Sequence, residues 1–324
     1  MWAVAPYLVP LTIVLMANWG VKRSRWKILT YVSLGLLGAL MLAVAFLLLA
    51  TSFLLRRSGP SLLGAIQGTN LAGLGALIGA TALLGLLCLL PAFRSLLARW
   101  LRIDRSSPVH TVALVFAIYL GASSLSLLLT SQRLISLSLE ASNLGMPALV
   151  AGEVVFVVFA LAGVGLFTRR SWRQVLDRLG LRLPTGRQWA AVVATTAALL
   201  ALDCGVSLVW RLLWPGSYDT VSGMSQKLFG QFGSPWGAAV LGLSAGIGEE
   251  TLFRGALQPR FRILLTAALF SIAHVQYTLS PALVEILIVG LLLGWVRAKS
   301  NTTTCIIIHA SYNFLNILLA PFFP

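Results

Sequence analysis

Long apolar stretches, separated by short polar or basic segments, recur along the whole chain. Stretches near or above about eighteen residues can cross the hydrocarbon core of a bilayer as helices. The pattern predicts spans, the last few short or interrupted, near residues 2–20, 28–54, 71–93, 109–131, 147–168, 188–213, 236–258, 263–279, 282–296 and 302–320. We therefore expect an all-α fold, a polytopic membrane bundle of about ten transmembrane helices.

The composition agrees with a membrane protein. Hydrophobic residues make up 58% of the chain and charged residues 10%, and the mean hydropathy is +0.90. A soluble domain carries roughly a quarter charged residues, so the lipid bilayer is the expected surrounding. The net charge of +15 does not indicate a nucleic-acid partner, because the basic residues form short clusters between apolar runs.

Basic residues in the connecting segments predict the orientation. With ten spans and a cytoplasmic first loop, 19 Lys and Arg residues fall on the cytoplasmic side and five, including Arg133, on the other. This bias predicts that both termini lie outside. The longest basic stretch, residues 169–187, fits either an amphipathic helix on the anionic leaflet or an ordinary basic loop. We divide the chain into an N-terminal transmembrane region of unknown role, 1–146, and a C-terminal region, 147–324.

Ionisable residues inside predicted spans are informative because each costs several kcal/mol in hydrocarbon, roughly 2.5–3.5 on insertion scales. In the run Gly-Glu-Glu-Thr-Leu-Phe-Arg, Glu250 and Arg254 are four residues apart and can pair on one helical face. Glu249 points about 100° away and has no partner in this run. It is a candidate general base, and the alternative is a structural salt-bridge cluster at a helix end.

Two later spans carry histidines. Phe270 and His274 share a helical face, as do His309 and Asn313. At about 1.5 Å per helical residue, Glu249, His274 and His309 lie ~15–18 Å from the nearest basic boundary, at one level below the cytoplasmic face. This common depth favours a shared site. The alternatives are a hydrogen-bonded core histidine, and helix packing for Asn313.

Three other acids lie in apolar runs. Glu153 and Asp203 each stand alone, and we expect them to pair with a basic residue or a hydroxyl across the bundle, or to face an aqueous cavity. Glu285 lies near a span end, where it can extend toward the interface. Neither Glu153 nor Asp203 is predicted to be catalytic.

The order EExxxR, FxxxH and HxxxN on successive C-terminal helices resembles the CPBP family of intramembrane proteases, which includes CAAX prenyl proteases and bacteriocin-processing proteins. The resemblance covers residues 186–320, all three motifs are complete, and it implies that the region 147–324 is a CPBP-like intramembrane protease domain. It implies a helical bundle with a conical cavity open to the cytoplasm. It also implies a peptidase that cuts a membrane-associated peptide or protein, CAAX-like or bacteriocin-like.

The resemblance also implies roles for the motif residues. Glu249 and His274 are expected to activate a water molecule, and His309 with Asn313 to form an oxyanion hole. Structural support of the site is expected from the remaining motif residues, Glu250, Arg254 and Phe270. These roles are chemically consistent, since a carboxylate is a base and imidazole and amide N–H groups donate to developing negative charge.

A zinc-dependent mechanism is the alternative. Glu249, His274 and His309 could hold Zn²⁺ with an open position for water. The zinc-protease helix signature HExxH is absent, and Asn313 would be an unusual zinc ligand. We therefore favour hydrolysis without a metal or another cofactor.

Two non-catalytic functions stay open. One is an inactive family member acting as a scaffold or immunity protein, against which the complete motifs argue. The other is a transporter, which would be supported by paired repeats and broken helices in both halves, and the sequence shows neither.

The 20 Arg against 4 Lys, with abundant Ala, Leu and Gly, suggest a GC-rich bacterial genome and therefore a bacterial inner membrane.

Overall fold

A computed structural model of the protein describes residues 5–58, 69–130 and 145–320. In these ranges the regular secondary structure is helical, which confirms the predicted all-α class. The α-helices are α1 (Ala5–Gly20), α2 (Ser24–Ser58), α3 (Leu71–Leu87), α4 (Pro91–Leu97), α5 (Pro108–Ser126), α6 (Met146–Val164), α7 (Trp172–Leu179), α8 (Gly186–Leu213), α9 (Pro215–Phe229), α10 (Pro235–Glu250), α11 (Gln258–Ile272), α12 (Pro281–Lys299) and α13 (Thr302–Leu319). A π-helical segment, Thr251–Leu257, joins α10 to α11.

Side-chain caps and left-handed glycines set several helix ends. Ser234 Oγ accepts a hydrogen bond from Gly237 N at 3.0 Å at the start of α10, and Asn301 Oδ1 accepts one from Thr304 N at 2.9 Å before α13. The helices α6 and α7 end at Gly165 and Gly180, whose φ values are +98° and +73°. Only glycine adopts this conformation without strain, so these two residues terminate their helices.

The predicted number of spans is not confirmed. By length and composition, six described helices can cross a membrane: part of α2 (Ser24–Leu55), Pro108–Leu129, and α6, α8, α12 and α13. A seventh is obtained if the bent pair α3 and α4 counts as one span. The helices α1, α10 and α11 occupy predicted spans, but each has only 15 or 16 residues. Residues 2–4 of the first predicted span, residue 131 of the fourth and Arg133 lie outside the described residues.

The predicted span 71–93 is broken, with a bend of 95° between α3 and α4. Pro91 lacks an N–H group and starts α4, so it cannot continue α3. The buried Arg94 donates from Nη1 to the carbonyls of Cys88 and Leu89, at 2.9 and 2.7 Å. These two carbonyls lie where the helix hydrogen-bond ladder stops, and the guanidinium satisfies them.

The predicted spans 236–258 and 263–279 are also interrupted. After α10 the chain forms the π-helical segment, and Arg262 interrupts α11 with a φ of +63°. The helix α11 then ends at Ile272, so His274 lies in the turn that follows it and not inside a helix as predicted. The helical rise used to estimate its depth therefore does not extend to this residue.

The chain divides into two compact units. One comprises Leu8–Leu144 and contains α2, α3 and α5, which pack on one another; the other comprises Met1–Tyr7 and Gly145–Pro324. Within the second unit α10 packs on α13 and on α6, and α11 packs on α12. A buried cluster that includes Leu199, Leu293 and Ile308 joins α8, α12 and α13. The roles assigned to regions 1–146 and 147–324 stay predictions.

Candidate active site

The helix α10 brings two adjacent glutamates against α13. A Cβ added at Gly246 would lie 2.9 Å from the backbone oxygen of Ile306 and 3.0 Å from the nitrogen of Ala310. The two backbones can approach this closely only because residue 246 has no side chain. One turn later, this contact places Glu249 and Glu250 within reach of residues on α13.

Glu250 joins two basic groups. Its Oε2 lies 3.2 Å from Nε of Arg254, and both side chains have no solvent exposure. Its Oε1 lies 3.1 Å from Nδ1 of His309. The pair with Arg254 agrees with the sequence prediction, whereas the contact with His309 was not predicted.

The π-helical segment positions Arg254. A π-helical turn has a wider hydrogen-bond spacing than an α-helix, is rare in proteins, and frequently occurs at functional sites. Thr251–Leu257 follows the two glutamates directly and contains Arg254. The guanidinium Cζ lies 4.8 Å above the ring of Phe270, which gives Arg254 a cation–π contact in addition to its carboxylate partner.

Glu249 faces His274. The distance between Glu249 Oε1 and His274 Nε2 is 3.6 Å, and the two side chains are 11% and 20% exposed. This distance exceeds that of a direct hydrogen bond. The other ring nitrogen, Nδ1, lies 2.8 Å from the carbonyl oxygen of Phe270. A carbonyl only accepts, so Nδ1 carries the proton, and in the neutral imidazole Nε2 is an acceptor facing Glu249.

Phe270 lies between the two histidines. Its ring centroid is 4.8 Å from that of His274 and 5.9 Å from that of His309. It is almost fully buried and also packs edge-on against Phe253 at 5.3 Å. An aromatic ring here keeps both imidazoles in place and excludes water from the Glu250–Arg254 pair.

Asn313 is less closely connected to the site. It lies one helical turn after His309 on α13 and is half-buried. Among the described residues its side chain has no hydrogen-bond partner. The structure thus brings six of the seven predicted residues into two linked groups, Glu249 with His274 and Glu250 with Arg254 and His309, with Phe270 contacting both. It does not tie Asn313 to them.

The predicted zinc ligands are not arranged as a metal site. In the described parts of the chain, no three His, Cys, Asp or Glu side chains are grouped so that they could hold a metal ion. Nδ1 of His309 contacts Glu250 and Nδ1 of His274 contacts the Phe270 carbonyl, which leaves only Nε2 of each ring as a possible metal ligand. Glu249, His274 and His309 as positioned here are not grouped closely enough to share a Zn²⁺ ion.

Glu153 is a further acid at the site that the sequence analysis did not assign to it. A Cβ added at Gly248 would lie 2.8 Å from both the Cβ and the backbone oxygen of Glu153, and would also meet its carboxylate. Glu153 on α6 therefore lies directly against the residue before Glu249. The Oε2 atoms of Glu153 and Glu249 are both buried without a hydrogen-bond partner in the described chain. The isolated position of Glu153 in an apolar run was the available signal.

A second polar cluster involves Asp203, Glu285, Tyr312 and Asn316. Asn316 Nδ2 donates to Asp203 Oδ2 at 2.8 Å, and the Tyr312 hydroxyl lies 3.5 Å from an oxygen of each acid. Asp203 therefore pairs with a hydroxyl, as one predicted alternative stated. The prediction for Glu285 was wrong: this side chain does not extend to the interface but is 93% buried.

The comparisons with known proteins agree with the motif resemblance. Residues 231–315 match a family model described as type II CAAX prenyl endopeptidase, Rce1-like. This range is narrower than the 186–320 predicted, and it contains all seven predicted site residues. No curated protein and no solved structure gives a match.

Proposed function

Because residues 231–315 belong to the Rce1-like CAAX endopeptidase family of membrane proteases, we propose that the protein is an intramembrane endopeptidase. It hydrolyses a peptide bond of a membrane-associated substrate with water activated by Glu249 and His274. The observation that carries this proposal is the pair Glu249 Oε1 and His274 Nε2, 3.6 Å apart beside the group formed by Glu250, Arg254 and His309; with a neutral imidazole, both atoms are acceptors.

The proposed base is this pair of acceptors. Two acceptors cannot hydrogen-bond to each other, but one water molecule can donate a proton to each. Its lone pair is then free to attack a substrate carbonyl carbon. As the new C–O bond forms, Glu249 takes a proton from the water, and His274 keeps the water oriented.

His309 is the proposed donor to the oxyanion. Because its Nδ1 binds the Glu250 carboxylate at 3.1 Å, Nε2 carries a proton only when the imidazole is positively charged. The carboxylate of Glu250 is shared between His309 and Arg254, and it holds the imidazole in place. A cationic N–H donor stabilises the tetrahedral oxyanion more strongly than a neutral one. Asn313 supplies a neutral second donor from the next turn.

The last step returns the proton. The C–N bond of the tetrahedral intermediate breaks, and the amine takes the proton that Glu249 accepted from the water. The carboxylate is then restored. The products are a new carboxyl terminus and a new amino terminus, and no cofactor is consumed.

The proposed substrate is a peptide or protein at the cytoplasmic side of a bacterial inner membrane, CAAX-like or bacteriocin-like. The long apolar helices and the family support an integral membrane protein. The bias of Lys and Arg supports a site that faces the cytoplasm.

Cleavage by the purified protein of quenched prenyl-peptides and of a membrane-peptide library tests this proposal. We expect Glu249→Gln to lower turnover by about 10²–10⁴-fold, since it removes the base without changing the side-chain shape. His274→Ala and His309→Ala are expected to abolish turnover while the protein stays folded. Asp219→Asn, on the exposed face of α9, is the matched control and should leave turnover unchanged.

Two results would contradict the proposed chemistry. Full activity in Glu249→Gln would exclude Glu249 as the base. Complete loss of wild-type activity with a strong chelator, restored by zinc, would replace the metal-free mechanism. Absence of cleavage of every library member by folded wild-type protein would favour the scaffold or immunity alternative.

A further inference from the structure

Five arginines converge at one end of the C-terminal unit, and the catalytic proposal uses none of them. We call Arg169, Arg170, Arg178, Arg260 and Arg297 the arginine cluster. They come from the segment between α6 and α7, from α7, from α11 and from the end of α12. All five are half-buried. Four separate parts of the chain thus direct positive charge to one place.

The side chains of the cluster act on one another electrostatically. Arg297 reaches the end of α7, where a Cβ added at Gly180 would lie 2.5 Å from its Nη2, and the charged neighbours of Arg178 are all arginines of the cluster. Burial, followed by these neighbouring charges, lowers the pKa of Arg169 and of Arg178 to about 10. Both groups are still positively charged at pH 7, so the cluster concentrates like charges in a place of reduced solvation.

The hydrogen bonds described for two of these arginines do not neutralise their charge. Arg178 donates to the carbonyls of Gly255 and Ala256, at 3.1 and 3.4 Å, and Arg170 donates to the carbonyl of Val164. Backbone carbonyls are neutral acceptors, so the positive charge is retained. The acid nearest in sequence, Asp177, forms a surface ion pair with Arg182, which is outside the cluster.

Apolar side chains around the cluster are exposed. Phe167 and Leu183 are each 90% exposed, and Trp172 at the start of α7 is 52% exposed, whereas Val175 and Leu179 of α7 are fully buried. Aromatic and aliphatic side chains exposed beside basic residues are typical of segments that lie in the membrane–water interface. The phosphates of phospholipids lie at this level, and a free phosphate ion would gain nothing from these apolar groups.

We propose that the arginine cluster binds the phosphate headgroup of an anionic phospholipid. Several guanidinium groups from different elements suit a phosphate, which accepts paired N–H donors. Basic pockets between membrane helices on the cytoplasmic side are known sites for anionic headgroups. Because Arg178 also binds the carbonyls of Gly255 and Ala256, the cluster contacts the π-helical segment that carries Arg254.

Competition between two lipids tests the proposal without relying on peptidase activity. Delipidated full-length protein is offered equal amounts of phosphatidylglycerol and phosphatidylcholine, and retained lipid is counted by native mass spectrometry. We expect wild type to retain phosphatidylglycerol preferentially. Arg169→Gln with Arg260→Gln should lower this preference about 30-fold, because the cluster loses two of its five positive charges. The control is Arg173→Gln with Arg187→Gln, which removes two positive charges from exposed residues outside the cluster. This variant should keep the preference for phosphatidylglycerol.

Several outcomes would overturn the proposal. One is unchanged preference in the Arg169 and Arg260 variant. Another is an equal loss in the control, which would indicate diffuse attraction. A third is displacement of phosphatidylglycerol by millimolar inorganic phosphate, which would indicate a site for a free anion. If the glutamine variant does not fold, wild type still decides, since equal retention of the two lipids would also refute the site.

Discussion

At the scale of single residues, Glu250 has the most consequential position in the site. Its carboxylate contacts both Arg254 and His309. The side chains of Glu250 and Arg254 have no solvent exposure. A buried ion pair adds little net stability, but removing one partner leaves an uncompensated charge. Glu250 therefore connects the structural part of the site with the proposed oxyanion donor, His309.

Glu250→Gln is expected to lower the free energy of unfolding by about 3–5 kcal/mol, because Arg254 then stays buried without a counter-charge. It should also lower turnover, since His309 loses the carboxylate that accepts from its Nδ1 and holds its ring in place. Unfolding by SDS titration in mixed micelles measures the first effect, and the peptidase assay the second.

The surface pair of Arg182 and Asp177, whose side chains are 66% and 65% exposed, is the control. Arg182→Gln should change stability by less than about 1 kcal/mol and leave turnover unchanged, since solvent screens exposed charges. Equal stability losses in the two variants would contradict the role assigned to Glu250.

At the scale of elements, the close contact between α10 and α13 determines whether the motifs meet. Gly246 allows the α10 backbone to lie against Ile306 and Ala310, one turn before both glutamates and close to His309. The contact between Gly248 and Glu153 on α6 is of the same kind. Small residues on α10 thus act through the distance between helices and not through their own chemistry.

Gly246→Ala is expected to destabilise the protein by about 1–3 kcal/mol, because the new Cβ overlaps backbone atoms that cannot move away separately. Turnover should also fall, since α10 and α13 are pushed apart and Glu250 moves from His309. Thermal inactivation and cleavage rates measure both effects.

Gly205→Ala on α8 is the matched control, because a Cβ there meets no atom within 4 Å. It should be neutral or slightly stabilising, as alanine favours a helix over glycine by about 0.8–1 kcal/mol. If both variants behave alike, the helix contact does not determine the site.

At the scale of the whole molecule, the distribution of basic residues predicts the orientation in the membrane. The helix α8 is long and apolar enough to span a membrane. Arg173 lies before α8, and Asp219 lies after it, on α9. The two residues should therefore lie on opposite sides, with Arg173 in the cytoplasm.

Cysteine labelling in intact cells tests this orientation. Cys88, Cys204 and Cys305 are free and can be replaced by alanine to give a background without thiols. A membrane-impermeant maleimide should then label Asp219→Cys in intact cells, and Arg173→Cys only after permeabilisation. The reverse pattern would contradict the proposed cytoplasmic site.

The sequence by itself determined the membrane character, the helical class and the identity of the motif residues. These follow from composition, from the length of apolar runs and from the cost of placing ionisable groups in hydrocarbon. The pair of Glu250 with Arg254 was also predictable, since residues four apart in a helix lie on one face.

Only the tertiary structure decided which groups from different elements meet. The contact of Glu250 with His309, the position of Glu153 against Gly248 and the convergence of the arginine cluster join residues far apart in the chain. The bends at Pro91 and Arg262, and the turn at His274, also changed the predicted spans. Helical periodicity describes one element at a time, whereas these features depend on how helices pack and on where their backbone hydrogen bonds stop.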